Sequence, residues 1–186
     1  MTDMSVFLRG AHCSLRPLRR EDVDGGWATW FNDPQVTAHM LRGVFPNTPE
    51  QQLAFFESVV AGSQDNLVLA IVSEPGGEHV GTIGLHRIDW INRCAEYGVV
   101  IGEASARGRG IGSEATRLIC AHGFDKLNLH RIWLGVMASH AAAIRMYEGI
   151  GFREEGRLRE EILRAGQWED KLIMGLLAGE LRNAPA

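Results

Sequence analysis

The chain is poor in the residues that mark secreted, metal-bound or membrane-embedded proteins. It has three cysteines in 186 residues. Cys13, Cys94 and Cys120 are odd in number and far apart, so they supply neither a disulfide framework nor a zinc spacing. Reduced thiols are expected. No His/Cys/carboxylate pair shows ligand spacing, so no metal site is expected. No run of about 18 apolar residues occurs, so no transmembrane helix is expected. The opening Met1-Thr2-Asp3-Met4 lacks a basic flank and an apolar core, which argues against a secretory signal and for a cytoplasmic location. Positive charge is not in excess either, the formal net charge being −4. The basic footprint of a nucleic-acid binder is therefore missing, and cationic or neutral partners are mildly favoured. Repeats, low-complexity tracts and linkers are absent. The remaining composition, 45% hydrophobic and 23% charged, suits a single domain over 1–186 with a proper core.

Periodicity and breakers divide the chain into elements. Residues 12–18 alternate like an edge strand. Residues 20–31 read as a helix, weakened by Gly25-Gly26 and broken at Asn32-Asp33-Pro34. Thr48-Pro49-Glu50-Gln51 is a helix start, with a capping threonine, a proline at the first helical position and a glutamine three residues after the cap. That helix is expected to run to about residue 61. Residues 67–73 and 79–89 form a hairpin about Glu74-Pro75-Gly76-Gly77. A strand over 94–102 follows, then a helix over 113–126 and a buried strand over 132–137. Ile111, Ala115, Leu118, Ile119 and His122 fall on one face of that helix. A helix over 141–150 is stopped by Gly151, and 153–164 with 167–177 make a last hairpin before a frayed tail. Strands with helices between them mean α/β or α+β.

The strongest functional signal is Arg107-Gly108-Arg109-Gly110-Ile111-Gly112, a glycine-rich turn between a strand and a helix start. Such a turn offers several backbone N–H groups to an anion at the positive end of a helix dipole. Glycine lets the backbone approach closely. A P-loop requires Lys-Ser or Lys-Thr after the last glycine, and Ser113-Glu114 stands there instead. A dinucleotide fingerprint requires glycine at position 113, and an acidic residue at the end of the next strand. Ser113 and the run Val136-Met137-Ala138-Ser139 supply neither.

Arg107-x-x-Gly110-x-Gly112 does match the Gln/Arg-x-x-Gly-x-Gly/Ala turn that binds the pyrophosphate of acetyl-CoA in the GNAT N-acetyltransferases. A second segment, His140-Ala141-Ala142-Ala143-Ile144-Arg145-Met146-Tyr147-Glu148-Gly149-Ile150-Gly151-Phe152, resembles that family's Asn-x-x-Ala-x-x-x-Tyr-x-x-x-Gly-Phe. The resemblance covers roughly residues 12–177, leaving 178–186 as a tail. Ala95-Glu96-Tyr97-Gly98, Asn128-Leu129-His130-Arg131 and the last hairpin look like the RimJ/RimL-like branch. Relatives there acetylate protein N-termini, polyamines, amino sugars and small antibiotics, and many pair as homodimers.

The resemblance implies a central mixed, mostly antiparallel sheet flanked by helices and splayed between its fourth and fifth strands, residues 94–102 and 132–137. Acetyl-CoA would enter that splay. Val99, Val100 and Ile101 would lie along its pantetheine arm, and a backbone group near Val100 would face the thioester oxygen. Arg107, Gly108, Arg109, Gly110, Ile111, Gly112 and Ser113 would surround the pyrophosphate. His140, which replaces the family's asparagine, and Ala143 would support the arm. A primary amine would attack the thioester directly. Tyr147, one of two tyrosines, stands at the family's acid position, since a phenol with pKa near about 10 can donate a proton at neutral pH. Some relatives use a glutamate where this chain has Gly135. Glu96 is the remaining candidate base, with bulk water as the alternative. The acceptor is expected among Trp30, Asn32, His39, His86 and Trp90, with Trp27, Phe31 and Asp33 beside them. The departures at Gly135 and His140 leave a second reading, a non-catalytic CoA-binding sensor or complex subunit.

Overall fold

Eight strands form one sheet in the computed structural model of the chain, which describes residues 6–40 and 43–182. The opening tetrapeptide and residues 183–186 lie outside the described residues. In chain order the strands are β1 (Leu8–Arg9), β2 (Cys13–Pro17), β3 (Leu67–Ser73), β4 (His79–Asp89), β5 (Cys94–Ile101), β6 (Arg131–Met137), β7 (Arg153–Arg164) and β8 (Gln167–Leu177). Their spatial order is β1-β2-β3-β4-β5-β6-β8-β7. Every pairing is antiparallel except β5 with β6. The mixed, mostly antiparallel sheet is as expected. The two-residue β1, too short to leave a period, moves the splay to between the fifth and sixth strands.

The helices are α1 (Gly26–Trp30), α2 (Pro34–Thr37), α3 (Pro49–Phe55), α4 (Ile111–Asp125) and α5 (Ala141–Ile150). The helix expected over 20–31 is divided at Gly25 into a 3-10 turn (Arg20–Asp24) and α1. Thr48 caps α3 by accepting from the Gln51 N–H, and Gln51 returns the bond to the Thr48 N–H. The expected run to residue 61 is completed by one π turn (Phe56–Val60). The tail is not frayed where it is described: Ala178–Glu180 form a 3-10 turn, and the Arg182 N–H donates to the Ile150 carbonyl at 2.8 Å.

Alternation along the strands sends side chains to two separate cores. Tyr97, Ile132, Leu134, Met174 and Leu176 face α4 and α5, and α4 buries Ile111, Ala115, Ile119 and Cys120 against them. Each fully buried Ile or Leu there contributes about 1.5–3 kcal/mol. The other face of β3 carries Val68 and Ala70, covered by Val23, Trp27, Trp30 and Phe31. The candidate site lies where the open middle of the sheet meets these two layers.

Candidate active site

β5 and β6 share only three register pairs, Cys94 with Arg131, Ala95 with Ile132 and Glu96 with Trp133. Beyond Glu96 they part. β5 stays paired with β4 through Gly81–Ile101, so its other edge is open. The pleat decides which groups face the gap. The Gly102 N–H donates to Val80 on the β4 side, whereas the Arg93 carbonyl accepts from Arg131 on the β6 side. By alternation, the backbone groups of Val99 and Ile101 face the gap. Those of Val100 face Thr82 instead, which corrects the expectation placed on Val100.

The gap leads into the glycine turn. Gly108 (φ 73°) and Gly110 (φ 79°) take left-handed conformations that cost other residues about 1–2 kcal/mol. These angles turn successive N–H groups the same way. Among the described residues, the N–H groups of Gly108, Arg109, Gly110, Ile111, Gly112 and Ser113 have no acceptor. Gly110 is the N-cap of α4 and provides no side-chain cap. The helix start is thus an uncapped set of donors at the positive dipole end, a cradle suited to a diphosphate.

The two arginines differ. Arg109 is exposed. The Arg107 guanidinium turns back onto β5, donating to the carbonyls of Ile101 (3.3 Å) and Gly102 (3.0 Å). It braces the turn and does not flank the cradle. Glu114, in the first turn of α4, accepts from the N–H groups of Ala11 (2.8 Å), His12 (2.8 Å) and Cys13 (2.9 Å). Its burial alone would raise its pKa, but these donors hold it below the ordinary carboxylate range.

Tyr147 projects from α5 against Tyr97 (ring centroids 5.9 Å apart) and Phe152 (5.6 Å). Burial, with a smaller contribution from Cys120, pushes its phenol up to about 12. Among the described residues nothing hydrogen-bonds its hydroxyl, yet it is not a sealed orphan. It therefore opens onto accessible space. A Cβ on Gly112 would meet Ile101 (3.8 Å) and Met146 (3.8 Å), so the end of β5, the cradle and the Tyr147 helix converge. His140 is the N-cap of α5 and stacks on His39, with centroids 4.0 Å apart. Burial and then the neighbouring His39 lower its pKa. Ala143 packs half-buried against the core.

On the opposite face of β5 lies a cavity of about 300 Å³. Its floor is Thr82, Gly84 and His86 of β4 with Glu96, Gly98 and Val100 of β5, and its roof includes Trp27, Phe31, Met40, Gln52 and Phe55. Tyr97 and Val99 reach it as well, so it abuts the gap. Glu96 is the carboxylate of the lining, and the Arg87 guanidinium is bonded to it. A register shift between His86 and Asp89, with Arg87 at φ 50°, brings that arginine over. Of the expected acceptor residues, His86, Trp27 and Phe31 line the cavity. Trp30 is packed over Gly102, and its indole N–H donates to Glu103 (2.9 Å). Asn32 exchanges hydrogen bonds with Asn47 and holds the α1–α3 connection. His39 is occupied by the His140 stack. Trp90 is 51% exposed at the β4–β5 turn, donating to the Gln64 carbonyl.

Gln52, Phe55, Met40 and Thr82 were missed. Thr82 and His86 share a strand face by period two, a signal readable beforehand. The roof depends on how α3 folds over the sheet, which no local pattern gives. Gly135 has a structural explanation: the Lys171 side chain lies where its Cβ would be. Among the described residues, no group of three or more His, Cys, Asp or Glu side chains could hold a metal. None of their helices is long and apolar enough to cross a membrane.

Comparison with known proteins accords with this geometry. Residues 13–153 match the family described as the acetyltransferase (GNAT) domain. The chain is similar to the uncharacterized N-acetyltransferase p20 of Bacillus licheniformis, 31% identical over 169 residues, covering 90% of this chain and 93% of that one. It is similar to the spermidine N(1)-acetyltransferase of Escherichia coli K12, 29% identical over 160 residues, covering 86% and 83%. Its fold matches spermidine N-acetyltransferase from Vibrio cholerae, solved with CoA and spermine, at TM-score 0.83 and 23% identity, covering 92% and 98%.

Proposed function

Since the chain belongs to the GNAT acetyltransferases, we propose that it moves the acetyl group of acetyl-CoA onto a primary amine seated in the cavity above β4 and β5. One observation carries this reading: an open strand edge runs directly into a cradle of backbone donors that nothing among the described residues satisfies. When bound, acetyl-CoA supplies an acyl group on a sulfur that can leave as a thiolate.

The chain's own groups then divide the work. The N–H groups from Gly108 to Ser113 hold the pyrophosphate, with Arg109 at its flank and Arg107 fixing the turn to β5. Val99 and Ile101 offer the arm a strand edge, as in strand addition. His140 and Ala143 border it on α5. The Val99 N–H donates to the thioester oxygen as negative charge grows there, a preorganised electrostatic role. Glu96 accepts a proton from the bound ammonium, directly or through a water, and the neutral amine so formed attacks the thioester carbon. Arg87 is bonded to that carboxylate and holds it at the edge of the cavity. Tyr147 returns a proton to the departing sulfur. Its burial suits it to donating, since it stays protonated at neutral pH. Holding both reactants in line needs no protein nucleophile. Placement in the RimJ/RimL-like branch belongs to this proposal, supported by the Ala95-Glu96-Tyr97-Gly98 strand and the β7–β8 hairpin.

Calorimetric titration with acetyl-CoA, with NAD as the control ligand, tests the reading. Binding of acetyl-CoA alone at micromolar affinity supports it. No binding means that the cradle is only a turn, and the reading falls.

A further inference from the structure

We infer that the acceptor is a monoamine on a flat apolar body, an arylalkylamine in chemical class, taken in preference to a linear polyamine. The inference rests on the acetyltransferase reading above and adds the character of the amine.

Charge is the first argument. Among the described residues that line the cavity, Glu96 is the only carboxylate. It is already bonded to Arg87. One ammonium beside Glu96 therefore meets a shared anion. The second and third ammonium groups of a polyamine would meet none. The acidic residues of the roof elements do not help: Glu50 and Glu57 are exposed outside the lining, and Asp33 accepts from the Gln35 N–H as the cap of α2. Ring faces attract a cation, but by less than a buried, unpaired ammonium loses in giving up water.

Shape is the second argument. Trp27 and Phe55 meet edge to face in the roof, with centroids 6.0 Å apart. Phe31 and Met40 extend the same apolar surface. The polar side chains of the strands, Thr82, His86 and Glu96, lie on the floor. This polarity fits an amphiphile whose amine points down towards β5 and whose ring rests under the helices. A volume of about 300 Å³ is at the small end for ligand pockets and matches one ring on a short chain.

The test uses the whole protein with saturating acetyl-CoA and follows thiol release. 2-Phenylethylamine, n-butylamine, spermidine and an N-terminal peptide are compared by kcat/KM. 2-Phenylethylamine is expected to exceed spermidine by at least about tenfold. Phe55→Ala should erase most of that advantage through KM for the aryl amine. Arg87→Ala, at an exposed position, should move the ratio towards spermidine by unmasking Glu96. Spermidine or the peptide used as well as 2-phenylethylamine overturns the inference and leaves the acetyltransferase intact. Binding of acetyl-CoA without turnover of the aryl amine overturns it too. Failure to bind acetyl-CoA sinks the underlying reading instead, so the two failures are distinguishable.

Discussion

Replacing Gly110 by alanine separates the cradle from the rest of the fold. Gly110 sits at φ 79° and ψ −8°, where an L-residue costs about 1–2 kcal/mol. No protein atom lies within 4 Å of a Cβ built there, so the added methyl meets no steric penalty inside the protein. Two outcomes for the turn can be told apart. If it keeps its shape, the strain appears as lost stability, a fall in Tm of roughly 2–8 °C for a chain of this size. The methyl then stands over the donors and holds the pyrophosphate off. If the free turn relaxes, Tm changes little, and binding must restore the strained shape at a loss of about 5–30-fold in affinity. Either way the Kd for acetyl-CoA rises, while kcat at saturation should stay within about twofold because the reacting groups are untouched. Gly149→Ala is the control: it lies exposed in α5, also with open space around it, and should stabilise by about 0.5–1 kcal/mol without altering Kd. Calorimetry and thermal melts on both variants decide the matter. An unchanged Kd in Gly110→Ala would refute the assignment of the cradle.

Tyr147→Phe keeps the ring contacts with Tyr97 and Phe152 and removes only the hydroxyl; kcat should fall by about 10²–10⁴ with the Kd for acetyl-CoA unchanged, and equal turnover would remove Tyr147 as the acid. Trp30→Phe deletes the bond to Glu103 just ahead of the cradle, worth about 1.5–3 kcal/mol to a charged acceptor; steady-state kinetics should show KM rising for acetyl-CoA more than for the amine. Asp22 is paired with Arg16 at 2.7 Å and faces His79. Burial opposes its ionisation, but those partners win and hold its pKa well below normal. A depressed carboxylate stabilises the fold above its unfolded pKa of about 3.9 and loses that contribution as the pH falls below it. Melts of Asp22→Asn should therefore lie well below wild type at pH 7, by about 3 kcal/mol for a broken buried pair, and the two curves should approach each other below about pH 4.

What could be read beforehand was what is local. Strands with clear alternation and helices with clear stops fall within a residue or two of expectation, as β3 does and as α5 does ahead of Gly151. The glycine turn was legible because its chemistry is made by backbone, which needs only the right residues in order. The acceptor side was not legible for the opposite reason. Trp30 and Trp90 look like binding aromatics in one dimension, yet one is packed over Gly102 and the other stands on an Asx turn formed by Asp89. The Arg87–Glu96 pair depends on a local register shift, and hydrophobic pattern does not foretell such a shift. The Arg107 brace was hidden because guanidinium direction follows from the bend after Gly102.

Glu114 has a consequence for anyone who would move this turn elsewhere. The start of α4 lacks a cap of its own, and its first-turn carboxylate is spent on the N–H groups of Ala11, His12 and Cys13. The helix end is thus steadied from a strand connection about a hundred positions earlier in the chain, while its own donors remain uncommitted. The hexapeptide is therefore not a portable module. A graft onto a foreign strand and helix would carry the right letters but no anchor, and its donors would be free to turn to water. The unit that would survive transplantation is the turn together with the β1–β2 connection.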